Sequence, residues 1–218
     1  SEWPVATIKA NAPAKVNLTL HVTGQRDDGY HLLDSLVVFA DVSDQLGATT
    51  APDLRITING PFSPGVPTDH TNLIMRAADV LRQARGVSLG AALSLEKHLP
   101  LAAGIGSGSS DAAATLNMLA KLWAVAPLPA SAPEVLALGA DVPVCLHAPK
   151  PARMSGIGED LSPVPRLPDC ALVLVRPPVD VPTNAVFQAL QSKNGTPMTA
   201  LPEGLDFQGF ATWLAAQR

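Results

Sequence analysis

Aromatic side chains are scarce in this chain: its 218 residues include three Trp, one Tyr and five Phe. The interior must therefore be built mainly from Val, Leu and Ala. Charge is thin as well, at 16% Asp, Glu, Lys and Arg against a usual share of about 25%. With 47% apolar residues, that balance excludes disorder driven by charge and low hydrophobicity. No Lys/Arg cluster stands out in a chain of net charge −4, which argues against a nucleic-acid partner. No uncharged apolar run approaches the ~18 residues of a membrane helix, and no basic-then-apolar leader is seen, so the expected setting is the cytoplasm. The only cysteines, Cys145 and Cys170, have no metal-like spacing and are expected to be reduced, largely buried thiols.

Several familiar site patterns are missing too. The GxxxxGK[ST] pattern of P-loop NTPases does not occur. Neither do the HRD and DFG elements of protein kinases or the G-x-S-x-G elbow of serine hydrolases. No His/Cys/Asp/Glu cluster has zinc spacing. Proline, in contrast, is plentiful at 21 residues, concentrated in 61–67, 127–133, 149–168 and 177–182, which read as loops.

Polar and apolar residues alternate over 15–22, placing Lys15, Asn17, Thr19 and His21 on one face and Val16, Leu18, Leu20 and Val22 on the other. That pattern predicts a strand with a buried aliphatic face. Residues 36–40, 54–58, 91–95 and the compact apolar run 170–175 predict further strands, with Asn59-Gly60 as a turn. Leu73, Ile74, Ala77, Ala78 and Leu81 recur at helical spacing, with Thr71 as the expected cap and Gly86 as the stop. An alanine-rich helix is expected from Asp111 to Trp123. Ser131-Ala132-Pro133-Glu134 has capping-box spacing before a short helix ending near Gly139. Two more helices are expected at 183–191 and 206–217. The order of elements is a mixed α+β one, with a composition shift near 150–165 as the expected domain boundary.

The segment richest in chemistry is Pro100-Leu101-Ala102-Ala103-Gly104-Ile105-Gly106-Ser107-Gly108-Ser109-Ser110-Asp111-Ala112-Ala113. Alternate glycines let a backbone approach a ligand closely. The following helix would aim its unpaired N–H groups and positive dipole end at the loop, a setting for phosphate. A plain Gly/Ser connector capped by Ser110 or Asp111 is the alternative, disfavoured by the flanking strand and helix. Lys15 and Asn17 share a strand face and can present an ammonium and an amide together. Asp141 in Gly139-Ala140-Asp141-Val142-Pro143 can be a helix cap or, in phosphoryl transfer, the group that accepts a hydroxyl proton. Tyr30 beside His31 can stack on and hydrogen-bond to a base, or can simply close a turn.

In this order, the four segments resemble the GHMP kinase superfamily. Ala12-Pro13-Ala14-Lys15-Val16-Asn17-Leu18 resembles its first motif, and Pro100 to Ala113 its ATP-phosphate loop. Asp28-Gly29-Tyr30-His31 and Leu138-Gly139-Ala140-Asp141-Val142-Pro143 narrow the resemblance to the branch acting on a cytidine-diphosphate sugar alcohol. The resemblance implies an α+β fold of two lobes, a ribosomal-protein-like N-terminal lobe followed by an α/β one. It also implies ATP- and Mg²⁺-dependent phosphorylation of the 2-hydroxyl of 4-diphosphocytidyl-2-C-methyl-D-erythritol, in the non-mevalonate isoprenoid route. Asp141 would be the base, with Lys15 beside the hydroxyl and the γ-phosphate and Asn17 orienting the substrate. Tyr30, His31 and Phe187 would hold the cytosine. Residues 100–110 would cradle the ATP phosphates, with Ser110 as a Mg²⁺ contact. The loop differs from the usual Gly-Leu-Gly-Gly-Gly-Ser-Ser at Ile105 and Ser107, and the superfamily's third glycine-rich motif is not found. Residues 1–155 are accordingly expected to form the N-terminal ATP-binding domain, and 156–218 the beginning of a truncated C-terminal one. Competing readings are a homoserine- or mevalonate-type GHMP kinase and a nucleotide-binding module without turnover.

Overall fold

A computed structural model describes residues 7–217 of the chain. Two long strands, β1 (Ile8–Gln25) and β2 (His31–Ala51), form an antiparallel hairpin that organises everything else. One edge of β2 is covered by β1. The other is shared in turn by β5 (Ala152–Gly156) and β4 (Gly90–Glu96), with β6 (Asp160–Pro163) beyond β5 and β3 (Arg55–Asn59) parallel to β4. The sheet thus runs β3-β4-β2-β5-β6 with β1 on β2. Strand β2 is far longer than the expected 36–40, because its polar residues are not solvated. Asp34, Ser35 and Asp44 are buried against specific partners.

Helices α1 (Leu73–Arg85) and α2 (Ser107–Leu122) pack on one face of this sheet. Their small residues, Ala77, Ala78, Ala112 and Ala113, let the backbones come close, while Leu46, Leu93, Leu95 and Leu116 fill the space between. The core is aliphatic, as the scarcity of aromatics requires. Asn72, not Thr71, caps α1: its Oδ1 accepts from the Ile74 N–H at 2.8 Å, while the Thr71 hydroxyl turns to Asp69. Gly86 ends the helix in the left-handed conformation at φ 63°. The short α3 (Pro133–Leu138) is capped by Ala132 without a side-chain bond, so Ser131 and Glu134 do not close a capping box. One further turn, α4 (Val142–Cys145), follows Asp141.

The alternation expected over 15–22 is broken by register shifts between Pro13 and Lys15 and between Asn17 and Thr19. Lys15 and Thr19 are consequently buried and Leu20 is exposed, the reverse of the simple pattern. Residues 170–175 form no strand. Among the described residues none pairs with them, and the run, including Cys170, stays exposed. Helices α5 (Thr183–Gln188) and α6 (Phe207–Ala216) lie within the expected spans. Among the described residues no helix is long and apolar enough to cross a membrane.

The later residues return to the sheet at several points, among them a Gly195 N–H bond to the Val22 carbonyl at 2.8 Å and a partly buried ion pair. Asp34 of β2 accepts from Arg153 of β5 at 2.7 and 2.6 Å and from the Met198 N–H at 2.7 Å. Arg153 also donates to the Met198 carbonyl at 3.1 Å, and Met198 then packs with Leu36 and Phe210 in a second, smaller core. Truncating Arg153 to Ala should lower stability to urea by about 2 kcal/mol, since charged hydrogen bonds are lost and a buried carboxylate keeps only the Met198 N–H. An unchanged unfolding midpoint would show that this pair does not hold the 194–199 segment in place.

Candidate active site

The irregular register after Pro13 turns the Lys15 N–H toward the glycine-rich loop, where it donates to the Ile105 carbonyl at 2.9 Å. The Lys15 side chain, only 4% exposed, places its ammonium 2.8 Å from Asp141 Oδ2 and 2.9 Å from Asn17 Oδ1. Asp141 makes no capping bond to α4, so its carboxylate is committed to Lys15 while a third of it faces solvent. Burying an ammonium is tolerable because both partners are acceptors at hydrogen-bond distance.

Gly106 is where the loop meets this lysine. It sits at φ 57° and immediately precedes α2, and a Cβ there would stand 2.8 Å from Lys15 Cε. Both the backbone angle and the contact therefore require glycine. The helix begins at Ser107 rather than Asp111, so Ser107, Gly108, Ser109 and Ser110 form its first turn. Ser107 is helical, and a serine there costs no positive-φ strain. No side chain caps the helix, which leaves its positive end open toward residues 104–106. Ser110 is buried and donates its hydroxyl to the Pro13 carbonyl at 2.7 Å, and Ser107 donates to the Pro100 carbonyl at 3.3 Å. These two bonds tie the helix start to β1 and to the loop's entry.

The tip of the β1–β2 hairpin carries the third group. Tyr30 is 57% exposed. His31 stacks on Phe187 of α5, ring centroids 4.8 Å apart and planes 22° from parallel. Among the described residues, buried His31 Nε2 has no hydrogen-bond partner. A cavity of about 1060 Å³ lies elsewhere, between Val38, Phe39 and Val42 of the sheet and residues 163–174, and touches none of these groups.

Sequence reasoning missed a buried charge cluster directly behind the loop. Lys97, just past β4, donates to Asp44 Oδ2 at 2.5 Å and to Asp111 Oδ2 at 2.8 Å. Asp44 Oδ1 accepts from the His98 and Leu99 N–H groups at 2.6 and 2.7 Å. The chain entering the loop and the helix leaving it are thus pinned to one ammonium. Nothing local in the sequence marks this, because the three partners come from separate elements. Asp111 Oδ1 has no partner among the described residues, and burial, opposed by Lys97 and reinforced by Asp44, pushes its carboxyl up to about 8. Burial and the Asp141 charge likewise push the nearby Cys145 thiol up to about 12, which makes it a poor nucleophile.

A glycine-rich loop at a helix end without a side-chain cap, with a lysine–carboxylate pair beside it, is an arrangement suited to phosphoryl transfer. Residues 72–151, which hold the loop and Asp141, match the family model for the GHMP kinases N terminal domain. The chain is 55% identical over 212 residues to the 4-diphosphocytidyl-2-C-methyl-D-erythritol kinase of Ruegeria pomeroyi, spanning 97% of this chain and 74% of that protein. To the same-named protein of Dinoroseobacter shibae it is 56% identical over 213 residues, spanning 95% and 69%. Its fold matches the crystal structure of a 4-(cytidine 5'-diphospho)-2C-methyl-D-erythritol kinase with TM-score 0.69 at 34% identity, over 89% of this chain and 68% of that one. A homoserine kinase from Cytophaga hutchinsonii shares the fold, with TM-score 0.58 at 16% identity over 99% of this chain and 66% of that one. The class so defined is the GHMP kinase, an ATP-using phosphotransferase. Within it, the chain belongs to the 4-diphosphocytidyl-2-C-methyl-D-erythritol kinase family.

The Asp111 carboxyl gives a signed prediction. Its ordinary value is 3.8 and its folded value about 8, so the folded chain holds a proton that the unfolded chain has released. Between pH ~4 and ~8 this group's contribution to stability therefore falls as pH rises. Asp111→Asn should flatten that decline in urea-unfolding free energy. An equally steep decline in the variant would assign it to other groups.

Proposed function

We propose that this chain transfers the γ-phosphoryl group of ATP to the 2-hydroxyl of 4-diphosphocytidyl-2-C-methyl-D-erythritol, with Asp141 as the base. The observation that carries the reading is the 2.8 Å Lys15–Asp141 pair, held by the Lys15 N–H against the very loop that would cradle the phosphates. In the transfer, the substrate hydroxyl gives its proton to Asp141 and its oxygen bonds to the γ-phosphorus. The bond from that phosphorus to the bridging oxygen breaks, and ADP leaves with the electron pair. Lys15 stabilises the charge developing on the oxygens beside it, and Asn17 orients the acceptor. Residues 100–110 receive the phosphates at the open end of α2.

Tyr30, His31 and Phe187 hold the cytosine in this reading. The exposed Tyr30 face offers stacking, and the unpaired His31 Nε2 offers a hydrogen bond to the base edge. The family's Mg²⁺ fits the donor set. Such an ion is commonly held by one or two protein oxygens together with substrate phosphates and water. Ser110 Oγ, its proton spent on Pro13, keeps lone pairs for such an ion. Bound Mg²⁺ would neutralise phosphate charge. The ATP-binding part would span residues 1–155, with 156–218 belonging to a C-terminal part that brings Phe187 to the substrate, in a cytoplasmic enzyme.

Asp141→Asn tests the assignment. With the base lost, kcat should fall about a hundredfold or more while the ATP dissociation constant stays within about threefold. Near-normal turnover in that variant would overturn Asp141 as the base. Phosphorylation of homoserine or mevalonate, but not of the cytidylyl alcohol, would overturn the substrate.

A further inference from the structure

We propose that Ser35 is a positioning residue for this transfer, its buried hydroxyl dictating which way the Asn17 amide faces and thereby where the Lys15 ammonium sits. The inference rests on the functional reading above, in which Lys15 and Asn17 act at the reacting hydroxyl. Ser35 lies in β2, is 0% exposed, and so cannot touch substrate itself.

The direction of the chain of hydrogen bonds follows from proton counting. A serine hydroxyl has one proton to give. Ser35 Oγ gives it to the Thr19 carbonyl at 2.6 Å, so toward Asn17 it can only accept. Asn17 Nδ2 is the donor it accepts from, at 2.6 Å. With its nitrogen held at Ser35, the amide turns Oδ1 to Lys15 Nζ at 2.9 Å. The flipped amide would set an NH₂ donor against the ammonium and an oxygen against a hydroxyl with no proton left. Two acceptors, Asn17 Oδ1 and Asp141 Oδ2, then occupy two of the three ammonium N–H groups and leave one for the reacting group.

The register shift between Asn17 and Thr19 makes this arrangement available. There the Leu36 N–H donates to the Thr19 hydroxyl at 2.9 Å, and the Thr19 carbonyl is taken by Ser35. A regular ladder would not bring that carbonyl to a side chain of the opposite strand. The irregularity in β1 therefore orders three side chains that lead to the reacting centre.

A double-mutant cycle read by steady-state kinetics tests the proposal, using Ser35→Ala, Ser35→Cys, Ser35→Thr, Asn17→Ala and the Ser35→Ala/Asn17→Ala pair. Ser35→Ala should lower kcat about tenfold with the KM for ATP nearly unchanged, because orientation is lost but the phosphate loop is not. Ser35→Cys, similar in size but a weak acceptor, should behave the same way and guards against a simple packing defect. Ser35→Thr keeps the hydroxyl and should restore kcat to within about twofold. Where Asn17 is already Ala, removing the Ser35 hydroxyl should cost kcat less than about twofold. Wild-type kcat in both Ser35→Ala and Ser35→Cys, or a full tenfold loss that persists without Asn17, would overturn the proposal. Asp141→Asn measured alongside separates the two levels. If it too turns over normally, the functional reading falls; if it is inactive while the Ser35 variants are normal, only the role of Ser35 falls.

Discussion

Lys15 is fastened at both ends. Its amide is bonded to the Ile105 carbonyl of the glycine-rich loop, and its ammonium lies between Asp141 and Asn17. An ammonium so buried is tenable only while its acceptors stay in place, because an unpaired buried charge costs several kcal/mol, roughly 3–5 when one partner is removed. That requirement couples β1, the loop and the segment ahead of α4. Moving β1 or the Asp141 segment would unpair the charge, and moving the loop would release the Lys15 backbone. Gly106 completes the constraint, since any side chain there would press on the lysine's own methylenes.

A second buried ammonium works from the other side of the loop. Lys97 joins Asp44 of β2 to Asp111 of α2, and Asp44 also holds the two backbone N–H groups that lead into the loop. The loop is therefore suspended between two lysines with different tasks. Lys15 reaches a partly exposed carboxylate, the one proposed to act as base, whereas Lys97 is sealed in the core. Backbone N–H groups at the start of α2 are held in fixed positions because both flanks of the loop are anchored, as the proposed phosphate site requires. Preorganisation of that kind lowers the cost of binding and of charge development in the transfer.

Much of this was legible in the order of residues, and what was not has a physical pattern. The glycine-rich loop, the alanine-rich helix and the pairing of Lys15 with Asn17 depend on spacing within a few residues, and spacing is visible. Asp141 was legible as a candidate for base or helix cap; its missing capping bond and its contact with Lys15 speak against the cap and support the proposed base. The register shifts in β1 left no trace, so strict alternation placed Lys15 and Thr19 on the wrong side. Strand β2 looked short because Asp34, Ser35 and Asp44 are polar, yet each is satisfied by a partner distant in sequence. The Pro-rich stretch hid β5 and β6. The apolar run 170–175 looked like a strand but pairs with none of the described residues, since hydrophobicity alone cannot supply a neighbouring strand.

The central claim is that the Lys15 ammonium, delivered by the irregular strand, serves the chemical step rather than the fold alone. Lys15→Met keeps most of the side chain's length and apolar stem and removes the charge. Steady-state turnover of that variant on ATP and the cytidylyl alcohol, with ATP binding measured alongside, addresses the claim most directly. The account predicts a loss in kcat of about a hundredfold or more with ATP affinity within about threefold of the parent chain. A kcat within about threefold of the parent would contradict it.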